Sequence, residues 1–245
     1  MYQPLGRITP PDFDHVAAKP LRELGAEAPT NAPVVLGVNW YTSFDRPKET
    51  ASTAEGVSYH LPDVAKGEDL GTVRGGHCFC LEPMGAVRLE IEAWRRFYNQ
   101  QQEGACVGFG HARAQTMLRS GRLFDAFWLY DEARKLEGTY PSGEGSTCRA
   151  ACQVLETVGL REQAGQVECL RETGDGPVEP SLGIKAVRWA ATVEEVLAAL
   201  GRLNADAVPF SNNWGDSYPN IVWLPVATLD RLLKEEGEAD IVTDR

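Results

Sequence analysis

Cys106 stands where a polar loop runs into a helical pattern, in residues 99–111, Asn-Gln-Gln-Gln-Glu-Gly-Ala-Cys-Val-Gly-Phe-Gly-His. The first N–H groups of a helix have no backbone partner and carry partial positive charge, so they stabilise an anion and draw a thiol's pKa down. The chemistry this implies is nucleophilic attack by a thiolate. Gln100, six residues earlier, carries an amide that can fold back over Cys106. With the Cys106 N–H it would form a two-donor oxyanion hole. His111 follows Cys106 by five residues, about 500° round a helix, and so points elsewhere.

The stretch resembles the active-site segment of the papain-like cysteine peptidases, in which a Gln lies six residues before the nucleophile and Gly-Ser-Cys or Gly-Ala-Cys opens the central helix. Val107-Gly108-Phe109 after the cysteine is closer to the bacterial and phage branch. Gly75-Gly76-His77 looks like the family's histidine motif, and Asn212-Asn213-Trp214-Gly215 like its Asn-Ser-Trp-Gly. Residues 144–151 are similar to the third helical segment, where a Gly-rich loop lines the cleft. The resemblance implies that Cys106 is the nucleophile, His77 the acid/base, Asn212 the group that orients the imidazole and Gln100 the oxyanion donor, with Trp214 shielding the Asn–His hydrogen bond. It implies a thiol protease that hydrolyses peptide bonds in a peptide or protein substrate, with no cofactor, in a bacterial or phage-infected host cell. The alternative is a catalytically inactive papain-like scaffold acting as a binding or assembly protein.

One departure from the family concerns order. There the cysteine comes first, then histidine, then asparagine, whereas His77 here precedes Cys106 and Asn212 follows it. Geometry and roles define a triad, not sequence order. The strand pairing that must bring Asn212 beside His77 therefore has no direct connection to set its register.

The composition suits a folded enzyme-sized chain. Of 245 residues 43% are hydrophobic, and 24 Lys+Arg against 35 Asp+Glu leave a formal charge of -11, with no basic cluster to meet phosphates. Nucleic acid is not an expected partner. Nor is a membrane, since no apolar run is long enough to span one, and the N-terminus lacks a signal-like start, which makes the cytoplasm the default location. The six cysteines are expected as free thiols. Cys78 and Cys80 read as lying on opposite faces of a strand, unable to bridge. Cys148 and Cys152, four apart on a helical pattern, could be joined with His77 as zinc ligands, but no CxxC pair occurs and helical cysteines are more often small core residues. No metal site is assigned.

The elements that must position these groups follow from periodicity. Residues 33–41 and 73–81 read as buried strands with a hairpin excursion between them, and 86–91 as a third strand. Helices are expected over 104–118, 123–136, 146–158 (capped by Ser146), 192–203 and 225–236, with short strands at 186–189, 207–212 and 222–224. His15 and His60 read as structural. The resulting fold is α+β and papain-like: an N-terminal arm (1–32), a twisted antiparallel β lobe (33–91 and 186–245), a helical lobe (92–160) and an interlobe connection (161–185), with the active site in the cleft between lobes.

Overall fold

The computed structural model describes residues 19–20, 31–53, 56–84, 97–119, 122–163, 168–171, 176–186, 188–219 and 221–243. The expected strand at 86–91 and most of the arm, His15 included, lie outside them. The chain is mixed α+β, with five α-helices and one large sheet among the described residues.

The sheet is built on the two apolar runs seen in the sequence. β2 (Val34–Tyr41) and β5 (Val73–Leu81) pair antiparallel, with Val35 opposite Cys80 and Val38 opposite His77. The chain between them forms the hairpin of β3 (Lys48–Thr53) and β4 (Gly56–His60). β9 (Ala207–Ser211) lies between β5 and β10 (Ile221–Pro225), antiparallel to both, and β4 joins β10 in parallel. On the other side β11 (Glu238–Ile241) pairs antiparallel with β2, followed by β8 (Arg188–Trp189) and β1 (Lys19–Pro20), these last two parallel. The order is β1-β8-β11-β2-β5-β9-β10-β4-β3. The sheet is thus mixed, which corrects the antiparallel expectation. Parallel neighbours need long connections, and the elements separating β4 from β10 and β1 from β8 supply them.

Residues 238–241, to which periodicity assigned no element, are a strand inside the sheet. The signal was the alternation: Ala239 and Ile241 are buried with the apolar core, between Glu238 and Asp240. A small second sheet, β6 (Leu160–Arg161) with β7 (Val178–Glu179), pins the connection after residue 160.

Helices cover both faces. α1 (Cys106–Leu118), α2 (Ala126–Glu137) and α3 (Cys148–Thr157) share a core with Val35, Cys78 and Cys80. α4 (Val193–Leu200) and α5 (Val226–Lys234) pack with Val34, Leu36, Val38, Phe79 and Leu81. Cys78 and Cys80 therefore share the α1 face, as residues two apart on a strand must, which corrects their assignment to opposite faces. All six cysteines are free. Local chemistry explains the helix ends. Asp125 caps α2, Thr147 rather than Ser146 caps α3, Thr192 caps α4, and Gly138 and Gly201 close their helices in the left-handed region.

α1 is held tightly from two sides. A Cβ on Gly108 would collide with the Ala126 carbonyl oxygen and the Tyr130 backbone of α2, and one on Gly110 would press on Cys78 Sγ and Val35 of the sheet. Alanine is intrinsically the better helix former, but that gain is under about 1 kcal/mol and overpacking costs about 1–3 kcal/mol. Backbone obstructs the new methyl group, so the collision wins. Gly108→Ala should lower unfolding free energy by about 1–2 kcal/mol in urea denaturation; an unchanged or raised midpoint would show that α1 and α2 are not packed this closely.

Candidate active site

The site forms where α1 begins, at the edge of β5 and just beyond the end of β9. Cys80 lies opposite Ser211 and Leu81 opposite Phe210. This register carries Asn212 alongside His77, and Asn212 Oδ1 lies 2.7 Å from His77 Nε2. The same oxygen accepts the Asn213 backbone N–H at 2.7 Å. A backbone N–H can only donate, so this atom is the carboxamide oxygen and His77 Nε2 carries the hydrogen. In the neutral ring Nδ1 is then the free base.

Aromatic rings enclose the imidazole. Trp214 stacks on it at 4.6 Å and 30°, and Trp40 meets it edge-on at 4.7 Å. Trp40 is oriented in turn by its Nε1–H to Asp45 Oδ1, 2.9 Å. The charged imidazolium is poorly solvated here. Burial pushes the His77 pKa down to about 4, against smaller upward contributions from the Asn212 hydrogen bond and the Asp45 charge.

Cys106 is the first residue of α1, and Ala105 before it offers no side-chain cap, so no side chain competes for the first N–H groups. Burial nevertheless dominates and raises the thiol to about 12, while N–H groups of Cys78, Val107 and Cys106 itself pull the other way. The expected lowering of this thiol is therefore not what the resting structure displays: desolvation outweighs the helix terminus. Cys106 keeps partial exposure on the side that lines the cleft. Cys106 and His77 line one cleft of about 290 Å³, without a hydrogen bond between them among the described contacts. Burial favours the neutral form of each group.

Gln100 sits differently from the expectation. It is fully buried, its Nε2 donates to the Glu103 carbonyl at 2.8 Å, its Oε1 has no hydrogen-bond partner, and it does not line the cleft. Its backbone N–H binds the Asn213 carbonyl at 2.8 Å, which ties the loop before α1 to the asparagine pair. His111 points away from the cleft into the core, as its position on the helix requires.

Two contributions were not read from the sequence. Asn213, which stands where the resembled motif carries Ser, reaches with Nδ2 to the carbonyls of Cys78 (3.0 Å) and Cys106 (3.4 Å), so it clamps the histidine strand to the cysteine helix. Arg113, on α1, is 1% exposed and donates to the carbonyls of Asn212 (3.1 Å) and Tyr98 (3.3 Å). Arg113 is the one Lys, Arg, Asp or Glu in α1, and that was the available signal. The cleft wall is also acidic: among the described residues Glu144, Glu235, Glu236 and Glu238 line it and no Lys or Arg does, although Glu235 is paired with Arg231 behind it.

Compared with protein-family models, with curated proteins and with solved structures, the chain gives no match. No described helix is long and apolar enough to cross a membrane.

The depressed His77 pKa has a consequence for stability. Between about pH 6.5 and 4 the unfolded chain takes up a proton on His77 that the folded chain refuses, so folding weakens as pH falls through that window. The loss amounts to roughly 3 kcal/mol when complete. His77→Gln removes this contribution, so wild type should lose more stability than the variant between those pH values in urea denaturation. Parallel curves would mean that the ring is not buried as described.

Proposed function

We propose that the chain is a papain-like cysteine peptidase that hydrolyses peptide bonds through Cys106, His77 and Asn212. The observation that carries this reading is the convergence, on one cleft, of a cysteine at a helix N-terminus and a histidine whose Nε2–H is held by an asparagine and covered by a tryptophan. These residues come from three distant stretches of chain. Their sequence order differs from that of the resembled family, but the roles need only geometry.

In this reading His77 Nδ1 takes the Cys106 proton as the sulfur attacks the scissile carbonyl, so the thiolate forms with the substrate present instead of standing as a resting ion pair. The imidazolium so formed is stabilised by Asn212 Oδ1, and its proton then passes to the leaving amine. Water, deprotonated by the same ring, releases the acyl group. The Cys106 N–H at the start of α1 is the first oxyanion donor. Gln100 is the second by resemblance, and to serve it must turn its amide from Glu103 toward the cleft.

A second reading, a papain-like scaffold that binds or assembles without catalysis, is favoured by the absent Cys106–His77 hydrogen bond and the raised thiol. Alkylation by an epoxysuccinyl inhibitor, followed by mass spectrometry, separates the two. For a peptidase, Cys106 should be labelled well below the free-thiol pKa of about 8.5. Labelling should be absent in Cys106→Ser and at least about 100-fold slower in His77→Gln. Labelling that appears only at alkaline pH, with equal rates in wild type and His77→Gln, establishes the scaffold instead.

The acidic wall sets a substrate expectation. Fluorogenic peptides carrying Arg or Lys next to the cleaved bond should be turned over with kcat/KM at least about 10-fold above their Glu counterparts. Equal rates would remove the four glutamates from the account of specificity.

A further inference from the structure

A second polar cluster lies behind the cleft, where α1, α3 and β11 meet. It consists of His111, Cys152 and Asp240, exposed by 0%, 1% and 5%. His111 Nε2 lies 3.3 Å from Cys152 Sγ and 3.6 Å from Asp240 Oδ2, and the three donor atoms fall within 4.8 Å of one another. Donors that share one tetrahedral zinc-class ion at about 2.0–2.3 Å sit at such separations.

Two details point to a ligand here rather than to packing alone. His111 Nδ1 lies 2.9 Å from the Val107 carbonyl, which can only accept, so Nδ1 carries a hydrogen. This contact fixes the ring and leaves Nε2 facing the cluster, the arrangement typical of a metal-bound histidine. Asp240 Oδ2 is buried without a hydrogen-bond partner, which is costly for a carboxylate unless a cation meets it. Its nearest positive candidate is His111 itself, beyond hydrogen-bond length.

We propose that His111 Nε2, Cys152 Sγ and Asp240 Oδ2 form a binding site for a divalent transition-metal ion, of which zinc fits the mixed nitrogen, sulfur and oxygen donors best. Cys148 lies one turn earlier on the same face of α3 and is the nearest further thiol on that helix. On binding, the Cys152 thiol releases its proton to solvent and the thiolate ligates. The ion would join α1 to α3 and to β11, and so hold the helix that begins with Cys106. The ligands come from three separated stretches, which is why CxxC spacing gives no sign of them. The site is independent of the peptidase reading.

The test uses the full chain, stripped with a chelator and then titrated with zinc or cobalt(II). One ion per chain, a Tm that falls on stripping and recovers with zinc, and a thiolate-to-cobalt charge-transfer band are expected. Cys152→Ser and Asp240→Asn should each weaken zinc binding at least about 10-fold, and Cys106→Ser should leave it unchanged. A wild-type chain with neither a metal-dependent Tm nor the cobalt band overturns the proposal, whether or not the variants fold. So does binding that is lost in Cys106→Ser and kept in Cys152→Ser. In those cases the cluster is a buried imidazolium–carboxylate pair.

Discussion

The short antiparallel ladder between β5 and β9 is the constraint on which the site depends. It joins residues some 130 positions apart through two cross-strand pairs, Cys80 with Ser211 and Leu81 with Phe210. A slip of one residue would turn Phe210 out of its core and carry Asn212 away from the His77 face. Phe79 against Phe210, with ring centroids 4.4 Å apart, makes that slip expensive. Beyond the ladder the two asparagines take over. Asn212 binds the ring, and Asn213 binds the carbonyls on either side of the junction between strand and helix. Arg113 then holds the Asn212 carbonyl from α1, so the helix that carries the cysteine also fixes the residue that orients the histidine.

Burial shapes the electrostatics as much as the fold. The two tryptophans that hold the His77 ring also remove its water, and the core that positions α1 removes water from Cys106. Each neutral form is favoured for the same reason. A permanent ion pair would need a direct Cys106–His77 hydrogen bond to repay that desolvation, and none joins them among the described residues. In the proposed peptidase reading, proton transfer would be coupled to substrate binding, which would exclude further water and bring a developing charge for the helix terminus to stabilise.

Much of this was legible in the chain. Apolar runs bounded by Pro and Gly marked β2 and β5, and the helix spans followed from their periodicity and end residues. Cys106, His77, Asn212 and Trp214 were singled out by the motif resemblance; Asn212 and Trp214 contact the His77 ring, and Cys106 lines the same cleft as His77. What local pattern does not carry is partnership across the chain. Nothing near Asn213 announces that its carboxamide will bridge Cys78 and Cys106, and nothing near Gln100 announces that Glu103 will engage its amide. β11 was hidden for another reason. It is four residues long and carries two acids, yet its alternation places Asp240 against the helices and Ala239 and Ile241 in the opposite core.

The sheet order explains how His77 and Asn212 meet although the Cys106 segment lies between them in sequence. β2 and β5 sit at the centre of the sheet and are flanked by β11 and β9, both contributed by the last third of the chain. The C-terminal segment therefore wraps the N-terminal pair on both edges, and the helical segment between them is anchored on one face. Once both flanks are hydrogen-bonded, the location of the connecting loops no longer sets the position of His77 relative to Asn212. The ladders do, and loop-closure entropy varies only slowly with connection length. What the order does change is when the site can form: β9 and β11 must arrive before either Asn212 or Asp240 is in place, so the site depends on non-local pairing, the slower kind of contact to make.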